Sequence, residues 1–183
     1  MKEEIIISGF GGQGILLAGK VLADAAMREG KNVMYMPSYG AEVRGGTAFC
    51  YVIISDRDIP SPVVSNPDTA IILNEPSKLR FEGKIKRGGL MLLNTSMTDD
   101  EHRRDDIDYI CTGASEKAKE MGNERAANMI LLGAYSGRKN MISIDALINS
   151  FNEMYGHHHK KKELFILNEK ALREGWARAN EKD

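Results

Sequence analysis

The sequence predicts an α/β fold: a single domain over residues 1–183 in which a doubly wound, mostly parallel sheet lies between two helical layers. Three observations predict it. Short runs of β-branched and apolar residues recur along the chain, each stopped by Gly, Pro, Ser or Asp. Longer segments between them carry apolar residues at helical spacing. A glycine-rich turn joins the first strand to the first helix. Alternation of this kind covers a sheet on both faces, with strands joined by right-handed crossovers.

Each element follows in order. Ile5, Ile6 and Ile7 form a run that reads as a strand buried on both sides. Residues 15–28, rich in Leu and Ala, read as a helix ending near Gly30. Strands are expected at 32–36, closed by Pro37, and at 47–54, closed by Ser55 and Asp56. Further strands are expected at 69–73, 90–93 and 108–112, with a short helix near 77–81 and a turn at Arg87, Gly88 and Gly89. Residues 123–137 and 144–154 carry helical patterns, and Asn168 is placed to cap a last helix bearing Ala171, Leu172 and Trp176. No linker or internal repeat interrupts the chain.

Composition narrows the function. Hydrophobic residues at 42% and charged residues at 28% suit a folded globular chain, and a formal net charge of −1 gives no general attraction to nucleic acid or anionic lipid. The two cysteines, Cys50 and Cys111, form no CxxC pair, so both are expected as buried, reduced thiols. Four thiolates normally hold an iron–sulfur cubane, so no cluster is expected on this chain alone. Met1, Lys2, Glu3 and Glu4 precede the first strand without an apolar leader, and no stretch reaches membrane-spanning length, so a cytoplasmic location is expected.

Gly9, Gly11 and Gly14 satisfy G-x-G-x-x-G after a strand and before a helix, a Rossmann-like context. With Gly12 and Gln13 they make a candidate anion cradle at the positive end of a helix. The same glycines also serve a tight turn that binds nothing. An NAD site would place a carboxylate at the end of the second strand, where this chain has Tyr35, Met36 and Pro37. Gly14 to Val21 imitates a P-loop around Lys20, but Val21 replaces the hydroxyl that binds magnesium.

The second candidate loop runs from Pro37 through Ser38, Tyr39, Gly40, Ala41, Glu42, Val43 and Arg44 to Gly45 and Gly46. A guanidinium beside two glycines suits a phosphate or carboxylate, and Glu42 is placed to orient Arg44. A purely structural Glu42–Arg44 pair, or an Arg at a subunit contact, fits the same pattern. Loops at the carboxyl ends of neighbouring strands share one edge, so this loop and the glycine turn are expected to face one crevice. His157, His158 and His159, followed by Lys160, Lys161 and Lys162, read as a solvated turn, because consecutive residues point different ways. Trp176 reads as core or interface packing.

Gly9 to Ile15, Pro37 to Thr47, Ile59 to Val64 and Asn128 to Ala134 together resemble the gamma subunits of 2-oxoacid:ferredoxin oxidoreductases, over nearly the whole chain. The Tyr39-Gly40 to Gly45-Gly46 block is the most specific part and looks closer to the 2-oxoglutarate and branched-chain members than to the indolepyruvate ones. The resemblance implies a complex that oxidatively decarboxylates a 2-oxoacid to an acyl-CoA and reduces ferredoxin. Alpha and beta subunits would hold thiamine diphosphate with magnesium, and beta or a ferredoxin-like delta chain would hold 4Fe–4S clusters. The gamma chain would support assembly, with Gly9, Gly11, Gly12, Gln13, Gly14, Ser38, Tyr39, Glu42, Arg44, Gly45 and Gly46 near coenzyme A, and with Asn128 and Met129 at a subunit contact. The competing expectations are a stand-alone NAD(P)-binding reductase and a non-catalytic ligand-binding module.

Overall fold

The first strand, β1 (Lys2–Phe10), is buried from Glu3 to Gly9, as a strand covered on both faces must be. In the computed structural model, which describes residues 1–38, 47–99, 101–155 and 162–180, it is a central strand of one six-stranded sheet. The chain continues through α1 (Ile15–Arg28), β2 (Asn32–Ser38), β3 (Thr47–Ser55), β4 (Thr69–Ile72), α2 (Glu75–Phe81), β5 (Leu90–Asn94) and β6 (Asp108–Thr112). Four helices follow: α3 (Ala114–Glu120), α4 (Ala127–Lys139), α5 (Ile144–Tyr155) and α6 (Lys162–Asn180).

The strand order is β2-β3-β1-β4-β5-β6. β1, β4, β5 and β6 pair in parallel, whereas β3 runs antiparallel to both β1 and β2, so β3 alone opposes the other strands. The mostly parallel sheet is therefore present, but β2 and β3 are joined as a hairpin and not by a crossover. The connection over 39–46 is too short for a crossover, which takes a dozen residues or more.

The two faces are covered unequally. Ile5 and Ile7 point into a large core shared with α1, α3, α4, α5 and α6. Ile6, Ala70, Ile72, Met91 and Leu93 point the other way, where Phe81 of α2, Ile85 and Ile107 meet them. Three layers form as expected, one thick and one thin. On the thin side no helix joins β5 to β6 among the described residues, and the connection is held by charge. The buried Lys78 amine donates to the Asp99 carboxylate and to the Glu101 carbonyl at 2.6 Å, and Arg104 donates to the carbonyls of Glu82 (3.1 Å) and Ile85 (2.6 Å).

The helices depart from expectation in three places. The segment expected as one helix over 123–137 is a short 3-10 turn opened by Asn123, whose side chain accepts from the Arg125 amide, followed by α4. α3 was not predicted, because its seven residues carry only Ala114 and Ala118 on the core side. Asn168 does not cap the last helix, which already begins at Lys162. Its side chain sits inside α6 and donates back to the Leu164 carbonyl at 2.7 Å, the alternative open to a short polar side chain in a helix interior. Trp176 is 39% exposed and so is not a core residue. The segment from Gly156 to Lys161, with its three histidines, lies outside the described residues.

α4 and α6 approach closely through glycine. A Cβ on Gly133 would lie 2.0 Å from the Leu172 carbonyl oxygen, and one on Gly175 would lie 1.8 Å from that of Ile130. Both contacts are to backbone, so neither can be relieved by moving a side chain.

Candidate functional site

Helix α1 packs on the thick face of the sheet and α2 on the thin face. Chains leaving β1 and β4 therefore turn to opposite sides, which opens a crevice beyond the carboxyl ends of these two parallel strands, the place where ligands bind in doubly wound sheets. The glycine turn is one wall. Phe10, the last residue of β1, pairs with Thr47, the first of β3, while Ser38 ends β2 opposite Phe49. Both ends of the 39–46 connection thus sit on the same edge as the glycine turn. Tyr39, Glu42, Arg44, Gly45 and Gly46 themselves lie outside the described residues.

The turn is tied by its own side chain. The Phe10 amide donates to Gln13 Oε1 at 2.6 Å, the Gln13 amide donates to the Phe10 carbonyl at 3.2 Å, and Gln13 Nε2 donates to the Leu73 carbonyl at 3.3 Å. Gly9 lies under this side chain, since a Cβ there would meet Gln13 Oε1 at 2.5 Å. Gln13 therefore acts first as a brace between β1 and β4. Gly11 and Gly12 stand exposed at the tip, with Gly12 at φ +98° and open space around it. At the foot of the turn Gly14 precedes α1 with φ 74°.

Gly14 is required twice over. Its φ is left-handed, and a Cβ would stand 2.4 Å from Nδ2 of Asn128. That amide nitrogen donates to the Gly14 carbonyl at 2.9 Å, while Asn128 Oδ1 accepts from the Met129 amide at 2.9 Å. Asn128 and Met129 are both buried within the chain, so the expected subunit contact is corrected to an internal one: α4 is pinned to the start of α1. A side chain with no exposed surface has none to offer a partner.

Two further asparagines shape the edge, and residue-by-residue reading missed them. Asn74 follows β4, caps α2 by accepting from the Ser77 amide at 2.9 Å, and reaches Gln13 Oε1 at 3.5 Å. Asn94 ends β5, donates to Ser115 Oγ at 2.8 Å and accepts from the Ser115 amide at 3.2 Å. The signal was present in the sequence as Asn closing an apolar run twice, after Leu73 and after Leu93. Side-chain amides hold the crevice rim here where charged groups would carry a large desolvation cost. Among the described residues, no buried side-chain nitrogen or oxygen lacks a partner.

The remaining candidates separate from this edge. Cys50 is buried on the thick side, and burial pushes its thiol up to about 12. Cys111 is exposed on β6, which corrects the expectation that both thiols are buried; its sulfur lies 3.3 Å from Nε2 of His102. The two sulfurs sit on opposite sides of β1, β4 and β5 in the sheet order, and no group of three His, Cys, Asp or Glu side chains suited to a metal occurs among the described residues. This donor set does not fit a cubane cluster. The glycine turn does fit a phosphate: it offers backbone N–H groups at a helix start and space above Gly12. Lys20 is exposed within α1, far along the helix from the turn, and the P-loop imitation is thereby excluded. No helix among the described residues is long and apolar enough to cross a membrane.

The architecture defines an α/β protein with a topological switch point between β1 and β4. Residues 4–178 match the pyruvate ferredoxin/flavodoxin oxidoreductase family, and the chain belongs to that family. It is 37% identical to the ketoisovalerate oxidoreductase subunit VorA of Methanothermobacter thermautotrophicus over 95% of this chain and 36% of that protein. The chain thus spans about a third of the length of that curated relative. The gamma subunit of a keto/oxoacid ferredoxin oxidoreductase from Geobacter sulfurreducens superposes with a TM-score of 0.82 at 28% identity, covering 97% of this chain and 98% of that one. The 2-oxoglutarate:ferredoxin oxidoreductase of Magnetococcus marinus, with 2-oxoglutarate, coenzyme A and succinyl-CoA bound, superposes with a TM-score of 0.89 at 28% identity, covering all of this chain and 32% of that one.

Proposed function

We propose that the chain is the gamma-type component of a 2-oxoacid:ferredoxin oxidoreductase, most specifically one acting on 2-oxoglutarate, and that it is inactive alone. One observation carries the reading: a family match from residue 4 to residue 178, joined to a near end-to-end likeness to a gamma subunit. Alpha and beta components, with or without a ferredoxin-like delta chain, supply thiamine diphosphate, magnesium and clusters, for which the described residues of this chain offer no donor set. Ferredoxin is the electron acceptor. A stand-alone nicotinamide reductase is disfavoured by β2, which ends in Tyr35, Met36, Pro37 and Ser38 without a carboxylate for a ribose.

Within that complex the glycine turn, Ser38, Tyr39, Glu42 and Arg44 face the phosphates of coenzyme A. Coenzyme A supplies the thiol that accepts the acyl group. The chain's own part is to bind and orient: N–H groups at the start of α1 and the Arg44 guanidinium take up phosphate charge, and Gln13 and Asn128 keep the turn in shape for it. The bound coenzyme A of the Magnetococcus enzyme supports this choice of ligand. Purification with partner chains under anaerobic conditions should give 2-oxoglutarate-dependent and coenzyme-A-dependent viologen reduction. In that complex Arg44→Ala should raise the KM for coenzyme A about tenfold, as loss of a charge-assisted phosphate contact implies. Unchanged KM, turnover and assembly would remove Arg44 from the site. A preference for a branched 2-oxoacid would move the substrate to the class of the VorA relative.

A further inference from the structure

Among the described residues, no helix covers the thin side of the β2–β3 hairpin beyond Phe49. Side chains alternate along these strands, and Val33, Tyr35, Cys50 and Val52 pack against the thick core. Met34, Met36 and Ser38 face the other way, opposite Ile53, Tyr51 and Phe49 in register. α2 reaches only as far as Phe49, through the edge-on contact of Phe81 at 5.5 Å between ring centroids. Beyond it lies a groove of about 420 Å³ bordered by Met36, Ser38, Phe49 and Tyr51. Arg80 stands at its margin with its guanidinium 4.8 Å from the Phe49 ring centroid, and no carboxylate pairs with it among the described residues. Leu79, beside it on α2, is 55% exposed. Aromatic, Met and Arg side chains gathered in one groove are the composition of an interface centre.

The comparisons indicate the occupant. In VorA and in the Magnetococcus oxidoreductase this fold is 36% and 32% of a longer chain, so there the same domain is covalently joined to a larger remainder. We propose that this groove seats a polypeptide homologous to that remainder, placing an apolar side chain between Met36 and Tyr51 and a carboxylate on Arg80. The proposal rests on the subunit reading above.

The test is co-expression of the chain with that polypeptide from the same organism, read by size-exclusion chromatography with light scattering and by titration of the purified partners. Met36→Asp and Arg80→Glu should each weaken the heterocomplex at least tenfold, while Ile166→Asp, at an exposed position on α6, should leave it unchanged. Circular dichroism and thermal melting of the free variants establish folding, and the exposed Arg80→Glu carries the test if Met36→Asp unfolds. Heterocomplexes of wild-type affinity with both variants would overturn the docking face and leave the subunit reading standing. A wild-type chain that does not associate at all would overturn the subunit reading itself. A homodimer broken by Met36→Asp would show that the occupant is a second copy, against the proposal.

Discussion

At the scale of single residues, the contact between Gly14 and Asn128 carries the most constraint. Placing a Cβ on a left-handed residue costs about 1–2 kcal/mol before any clash, and here the new atom also meets the Asn128 amide. Asn128→Ala loses two hydrogen bonds, yet the Gly14 carbonyl keeps the Ala18 amide as a donor at 3.0 Å, so its cost should stay near about 1–2 kcal/mol. Because truncating Asn128 clears the space an Ala at position 14 needs, the double variant should be more stable than the sum of the singles predicts. Urea denaturation of the four proteins measures this, and strict additivity would contradict the geometry. The glycines were legible in the sequence as a turn. Their partner was not, because a contact 114 residues away leaves no local pattern.

A second residue-scale prediction concerns Glu4. Burial alone would raise its carboxyl, but hydrogen bonds and charge from Lys2 and Lys86 outweigh burial and hold it below its ordinary value of 4.5. Lys86 is shifted oppositely: burial lowers it, and Asp68 and Glu4 more than compensate. A depressed carboxyl contributes stability above its unfolded value and loses it as pH falls through the folded one. A raised amine contributes below its unfolded value and loses stability as pH climbs through the folded one. The urea midpoint should therefore decline below about pH 4.5 and again above about pH 10.5. Lys86→Met should flatten both slopes, and an unchanged acid slope would show that this cluster does not matter.

At the scale of elements, α4 and α6 show what periodicity can and cannot reveal. Apolar spacing located the body of α4 through Ile130, Leu131 and Ala134, since a buried helix must repeat its inward face. It said nothing of Gly133 and Gly175, which read as weak helix positions but exist to let two backbones meet. Gly175→Ala should gain about 1 kcal/mol of helix propensity and lose more to overpacking, typically about 1–3 kcal/mol and above that for a backbone clash. Net destabilisation with greater protease sensitivity of α6 is the expected outcome. A stabilised Gly175→Ala would mean the helices are farther apart than described. The hairpin β2–β3 is hard to read for a related reason: strand patterns give direction only through the length of what joins them, here the short 39–46 connection.

For the whole molecule, fold class was legible because every strand run and the glycine turn agreed with one architecture, while the unequal layering was not, since burial on the thin side depends on polar anchors such as Lys78 and Arg104. That inequality sets where the structure should open first. β1, β4 and β5 lie inside the sheet, and β4 and β5 are buried at every position. β2 is an edge strand with only partial burial, and β6, at the opposite edge, is fully buried only at Thr112. Amide hydrogen exchange reports local opening free energies, which approach the global value only in the most enclosed elements. The slowest amides should therefore fall in β1, β4 and β5, with α4 close behind, and β2 and β6 should exchange faster. Addition of the partner polypeptide should slow β2 selectively and leave β6 unchanged. If β6 were protected instead, the binding surface would lie on the opposite edge of the sheet, and the β2–β3 groove would not be the docking face.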